Sequence, residues 1–166
     1  MSKPGNSDLV LVLNAGSSSI KLAVFDGQLA QVLTGIADGI GGPGTLKLGD
    51  VKTTQAFPDH ATALQAILQA LETKGFPISR FAAAAHRVVH GGTALTQPTR
   101  ITPEVLRAIK SCTPLAPLHN PHNIAAIETL AALAPELPQV AAFDTAFHAS
   151  NPEVATRYAL PPQIEA

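Results

Sequence analysis

The sequence predicts an α/β domain whose mixed sheet begins as an antiparallel meander. Three observations carry this. Apolar runs and alternations separated by turn residues fill positions 9–56, the period turns helical from Ala61, and short strands then alternate with capped helices from Phe81 onward. The 166 residues suit one domain, and the 46% that are apolar are ample for a core.

Element by element, polar Met1 to Asp8, with Pro4 and Gly5, reads as a disordered start. Leu9–Leu13 is apolar throughout and reads as a strand buried on both faces. Asn14 to Ser19 is turn chemistry, with Gly16 permitting a sharp turn. Ile20–Phe25 follows as a strand with Ile20, Leu22 and Val24 on one face and Lys21, Ala23 and Phe25 on the other, and Asp26-Gly27 returns the chain into a third strand over Leu29–Ile36. Gly39–Gly44 reads as a loop, and Leu46–Leu48 with Val51–Ala56 as a hairpin around Gly49-Asp50. Ala61, Leu64, Ile67, Leu68 and Leu71 mark a helix that Gly75 and Pro77 stop. Phe81–Ala85 is a buried strand. Thr102-Pro103 opens a helix with Val105, Leu106 and Ile109 inward, and Asn120-Pro121 repeats that signature, Asn120 capping a helix with Ile124, Ile127 and Ala131 inward. Gln139–Phe143 is the last strand.

Composition removes several function classes. Charged residues are 14% of the chain, against about 25% in an average soluble protein, and the net charge is −1. A nucleic-acid or membrane-surface protein would want a clustered basic excess. Low charge with high apolarity also suits a surface that meets another domain. Cys112 is the only cysteine, so neither an intrachain disulfide nor a paired-cysteine metal motif is available, and it reads as a small buried hydrophobe. The longest apolar run, Leu9–Leu13, is too short to span a bilayer and lacks the flanks of a signal peptide, which makes the cytoplasm the expected compartment.

Four polar clusters sit at element ends. Asn14-Ala15-Gly16-Ser17-Ser18-Ser19 offers backbone N–H groups and hydroxyls suited to phosphate oxygens, with Lys21 on the same side of its strand as Ser19. It is not a Walker A loop, and an ordinary hairpin turn is the plain alternative. His86-Arg87-Val88-Val89-His90-Gly91-Gly92 offers an arginine that either closes a structural ion pair or grips an anion, and a glycine pair that makes room for close approach. Ala116-Pro117-Leu118-His119-Asn120-Pro121-His122-Asn123 holds His119 beside a helix N-terminus, where negative charge is favoured, with a capping histidine that binds no ligand as the plain alternative. Phe143-Asp144-Thr145-Ala146-Phe147-His148 puts a carboxylate at the C-terminal end of a strand, where open α/β sheets place ligands. His60, His122 and His148 have no mutual spacing that argues for a metal site. Together the four clusters equip an anion-binding, phosphoryl-transfer site.

The segment Val10 to Lys21 resembles the amino-terminal signature of the acetate kinase family, the acetate and propionate kinases. The run from His86 to Gly92, the Leu118-His119-Asn120-Pro121 segment and Phe143 to His148 resemble its next three signatures in order. The resemblance implies a ribonuclease-H-like domain of the actin, sugar kinase and chaperone ATPase superfamily, with a mixed five-stranded sheet flanked by helices. It implies reversible transfer of the ATP γ-phosphoryl group to acetate, giving acetyl phosphate and ADP, with Mg²⁺. By motif position it implies Asn14 near the metal, Ser17, Ser19 and Lys21 at the nucleotide phosphates, and Arg87 at the carboxylate or moving phosphoryl. Val89 and Leu118 would line the acyl pocket, His119 would bond the phosphoryl, and Asp144 would fill the proton donor/acceptor position. An acetate ion needs no base at pH 7, however, so Asp144 reads better as a group that orients a metal-bound water or Arg87.

Family members run to about 400 residues, and this chain shows neither the next signature, Phe-His-Gly-Thr-Ser-His, nor an adenosine-binding domain. The expectation is an amino-terminal domain over 9–166, inactive by itself, whose partner is the absent carboxy-terminal domain and whose longer form is a homodimer. The alternative is a non-catalytic module of the same fold that binds acyl phosphate or another small anion.

Overall fold

A computed structural model describes residues 9–157, together with 159 and 164; the expected disordered start at 1–8 and most of the segment from Leu160 onward lie outside them. The elements are β1 (Leu9–Ala15), β2 (Ser19–Phe25), β3 (Gln31–Asp38), β4 (Gly42–Leu48), β5 (Val51–Phe57), α1 (His60–Thr73), β6 (Phe81–Val88), β7 (Thr99–Arg100), α2 (Pro103–Ser111), α3 (Asn120–Leu133), β8 (Gln139–Phe143) and a short α4 (Glu153–Thr156). The strands form one sheet in the order β5-β4-β3-β2-β1-β6-β8-β7. Strands β1 to β5 are an antiparallel meander, and β6 and β8 join β1 in parallel. That is the mixed α/β architecture the sequence predicts.

The strand alternation sorts the sheet into two faces. Leu9, Leu11, Leu13 and Ala15 of β1, Ile20, Leu22 and Val24 of β2, and Ala84 of β6 point into one core with Leu64, Ile67 and Leu71 of α1 and Ala126 and Leu130 of α3. Val88, Ala141 and Phe143 continue that face toward Ile109 of α2 and Ile124 and Ile127 of α3. Each fully buried Leu or Ile contributes about 1.5–3 kcal/mol. Helices α1 and α3 pack against each other over it. On the opposite face Lys21 and Arg87 are exposed and Val10, Val12 and Asn14 are only half-buried, so β1 is not buried equally on both sides.

Several details differ from expectation. The sheet has eight strands instead of five, because the β4–β5 hairpin zips onto β3 and the two-residue β7, too short to show a pattern, pairs with β8. The third strand starts at Gln31 and runs to Asp38. Leu29 falls in the turn at φ 63°, because the Asp26 carboxylate accepts the N–H groups of Gln28 and Ala30 at 2.9 Å each and widens the loop. β4 begins inside the expected loop, at Gly42. Thr102 caps α2 as expected, accepting the Val105 N–H, but His119, not Asn120, occupies the cap of α3. Ala131 is exposed, although its spacing from Ile124 and Ile127 puts it on the same side of α3 as Asn120, Asn123 and Ile127; it lines an open groove beside Ile101, Leu106 and Pro135. Cys112 is buried and unpaired.

Candidate functional site

Parallel pairing of β1 with β6 sets Leu13 beside His86, both buried, so the next residues, Asn14 and Arg87, emerge on the opposite face. Antiparallel pairing sets Asn14 directly across from Lys21. Arg87 pairs in register with Ala142, so Asp144, two residues on, falls on the same side. The side chains close that geometry. Arg87 Nε donates to both oxygens of Asp144 at 2.9 and 3.1 Å, and Nη2 donates to Oδ2 at 2.6 Å. Nη1 donates to Asn14 Oδ1 at 3.2 Å. The hydrogen bonds that Arg87 donates to Asp144 hold its guanidinium above the usual range, against a smaller opposing effect of burial. A guanidinium has five N–H groups, and this arrangement leaves a pair of them to meet an anion.

Behind the open face the α3 N-terminus is stitched to the strand ends. Asn123, 3% exposed, donates to the Ala15 carbonyl at 2.8 Å and accepts the Val89 N–H at 3.1 Å. Asn120, fully buried, accepts the His90 N–H at 3.1 Å and donates to the His90 carbonyl at 3.0 Å. Those bonds explain why Asn120 does not cap its own helix. Thr145 Oγ1 accepts the Gly91 N–H at 3.1 Å, and His60 Nε2 donates to the Gly16 carbonyl at 2.6 Å. The four clusters therefore meet at one end of the sheet.

His60 and His122 stack with ring centroids 4.9 Å apart. Burial, and after it the charges of His60 and His119, hold His122 below the ordinary imidazole range. His86 donates to Gln139 Oε1 at 2.7 Å and is pushed down to about 4 by burial, so it is a neutral core group. Leu118 and His119 are exposed, and no hydrogen bond or ion pair joins the side chains of Lys21, Ser17, Ser19 or His119 to Arg87 among the described residues.

The two glycine expectations divide. Gly16 has no positive φ, and a Cβ there would meet nothing nearer than the Ser19 carbonyl at 3.7 Å, so the turn itself does not require glycine. A Cβ on Gly91 would collide with the Leu95 carbonyl and lie 2.8 Å from the Phe143 ring, so its close approach is to the protein's own core. Asn14 Oδ1 and the Asp144 carboxylate are the hard oxygens nearest the Arg87 cluster, a donor set that fits Mg²⁺ held largely by phosphate oxygens and water. Among the described residues no three His, Cys, Asp or Glu side chains gather to hold a metal by themselves. No helix of the described residues is long and apolar enough to cross a membrane.

Sequence reasoning assigns no role to His60, Asn123 or Thr145, although Asn123 and Thr145 stand inside the third and fourth clusters. Asn123 left a signal: a polar residue on the inward stripe of an otherwise apolar helix, three positions after another asparagine. His60 left none, because its partner is a backbone carbonyl 44 positions away.

The model of the Acetokinase family matches residues 9–166. The acetate kinase of Deinococcus radiodurans is 46% identical over 157 residues, covering 91% of this chain and 39% of that protein. The acetate kinase of Rhodopseudomonas palustris is 44% identical over 170 residues, covering 95% and 42%. Among solved structures, an acetate kinase from Porphyromonas gingivalis superimposes with a TM-score of 0.87 at 36% identity, covering 94% of this chain and 42% of that one. A propionate kinase from Francisella tularensis gives 0.84 at 34% with the same coverage. This chain thus spans about 40% of the length of the curated relatives it matches.

Proposed function

This chain belongs to the acetokinase family, and from that premise we propose that it is the acceptor-side part of an enzyme that reversibly transfers the ATP γ-phosphoryl group to acetate. The observation that carries the proposal is the Arg87 guanidinium, clamped by Asp144 and Asn14 with N–H groups to spare at the end of the open sheet face. Both reactants are anions, so the barrier is electrostatic, and fixed cations aimed at the reacting oxygens lower it. Arg87 meets the carboxylate and the moving phosphoryl. Asp144 acts through Arg87: a carboxylate already spent on a guanidinium in three contacts is an orienting group and a poor proton shuttle. Val89 and Leu118 flank the methyl group, and His119 donates to the phosphoryl oxygens. Ser17, Ser19 and Lys21 receive the phosphates of the nucleotide. Mg²⁺ bound with the nucleotide would offset the charge of its phosphates, and Asn14, with Asp144 through water, is what this chain offers it. The same reading takes acetate or acetyl phosphate and ATP or ADP as the small-molecule partners and the cytoplasm as the compartment. It gives the domain a carboxy-terminal partner domain matching the rest of the relatives' length, in an enzyme that is a homodimer.

The test is a chimera in which residues 9–166 replace the matching segment of the Deinococcus radiodurans acetate kinase. Hydroxylamine trapping should detect acetyl phosphate made from acetate and ATP, and Arg87→Leu should lower kcat far more than Val89→Ala, which should mainly raise the acetate KM. A folded chimera that binds ATP yet makes no acetyl phosphate, beside an active parent, would overturn the proposal. Retained binding of acetyl phosphate without turnover would point to the anion-binding module instead.

A further inference from the structure

The loop after β1 carries its own alignment device. Two consecutive carbonyls of the loop face inward: Ala15 accepts from Asn123, and Gly16 accepts from His60. The peptide after Ala15 is then fully used, because the Gly16 N–H donates to the Ser19 carbonyl at 2.8 Å. The peptide after Gly16 is not. No cis peptide occurs among the described residues, and in a trans peptide the N–H points away from the C=O. Fixing the Gly16 carbonyl on His60 therefore turns the Ser17 N–H away from His60 and the core, at an exposed residue where it has no partner among the described residues. An outward N–H beside serine hydroxyls is the group a phosphate oxygen needs.

The donor in this contact is an imidazole set in place from two sides. His60 is the first residue of α1, whose N-cap Asp59 accepts the Thr62 N–H at 2.7 Å, and its ring stacks on His122 of α3. We infer that His60 is a positioning residue: by holding the Gly16 carbonyl on its Nε2–H it aims the Ser17 N–H at the phosphate chain of the nucleotide. The inference rests on the reading of this loop as the nucleotide-phosphate site. His60 itself touches no substrate, and His122 serves as the surface against which its ring is held.

The experiment follows the Ser17 amide resonance of the 166-residue chain during titration with inorganic pyrophosphate. Two variants separate donor from ring: His60→Phe keeps a ring to stack on His122 and deletes the N–H, whereas His60→Gln keeps an N–H at comparable reach and deletes the ring. Pyrophosphate should move the Ser17 amide in the parent, bind about tenfold more weakly to His60→Phe, and bind nearly as in the parent to His60→Gln. A role confined to stability would instead track the thermal midpoints of the variants, whatever their donors. Equal affinity of His60→Phe and the parent would overturn the inference, as would equal loss in both variants. A titration with acetyl phosphate separates this result from the wider reading. If the Arg87 Nε–H responds to acetyl phosphate while Ser17 ignores pyrophosphate, the inference fails and the acceptor site stands; if neither responds, both fail. Should His60→Phe lose its native spectrum, the parent decides: the His60 Nε2 proton must be visible and shift on saturation with pyrophosphate, and a stationary or absent signal overturns the inference.

Discussion

The two faces at the strand ends handle polarity in opposite ways. On the helix side Asn120 and Asn123 are buried and use their amides on backbone groups of the Ala15 and Val89–His90 segments. On the open side Arg87 and Asp144 remain 49% and 39% exposed, and Lys21 has no partner among the described residues. Buried polar groups must be satisfied or they cost stability, whereas exposed charges contribute little to it and stay available. The helix side therefore fixes where the strand ends sit, and the open side presents charge from those ends. Under the proposed function, stability and chemistry fall to different residues only a peptide or two apart.

That division is broken most directly at Asn123. Asn123→Leu keeps the volume but strands the Ala15 carbonyl and the Val89 N–H in the core, and should cost about 2–5 kcal/mol in urea unfolding. A loss below about 1 kcal/mol would mean that water reaches those groups and that the helix side is not dry.

The next effect is pH-dependent and belongs to the same side. His86 titrates near 4 in the folded chain against an ordinary 6.5. The unfolded chain therefore binds more protons between those values, so stability falls as pH drops through 6.5 and levels off below about 4. The whole loss is on the order of 3 kcal/mol. His122, also lowered, adds to it with the same sign. Denaturant melts at pH 7 and pH 4.5 should show the fall in the parent and a clear reduction of it in His86→Gln.

How much of this was legible in the sequence follows the same line. The two faces of β2 were readable from alternation, and α2 was readable from Thr102-Pro103. The one-sided burial of β1 was not, because Leu9 to Leu13 are apolar at every position and read as buried on both faces. Convergence of the four clusters was readable too, because each stands at an element end and parallel strands bring such ends to one edge. The bonds that hold them together were not. Asn120 looked like a cap because helix starts favour asparagine, and only the nearness of His90 in space diverts it. Strand β7, two residues long, is shorter than any pattern.

On the open side the same kind of substitution should do little to the fold. Arg87→Leu removes an ion pair that is half in water, so unfolding should shift by no more than about 1 kcal/mol, while acetyl phosphate affinity drops at least tenfold. A stability loss comparable to that of Asn123→Leu would erase the distinction between the faces, since the pair would then be a structural one.

The smallest expected change in stability, and the sharpest test of the contrast, is Gly16→Ala. The backbone at Gly16 lies outside the left-handed region, and an added methyl meets only Ser19 atoms at 3.7 and 3.9 Å, which is ordinary contact. Alanine at such a position reduces the freedom of the unfolded chain, so the variant should be as stable as the parent or better by about 0.4–1 kcal/mol. The methyl nevertheless stands beside the Ser19 carbonyl and hydroxyl, in the loop whose Ser17 N–H the inference aims at a phosphate oxygen. Pyrophosphate binding should weaken several-fold while the melt improves or holds. Gly91→Ala is the control on the packed side, where the methyl collides with the Leu95 carbonyl and the Phe143 ring and should cost about 1–3 kcal/mol. If Gly16→Ala left pyrophosphate binding unchanged, the glycine would serve neither the turn nor a ligand, and the loop would be an ordinary hairpin connection.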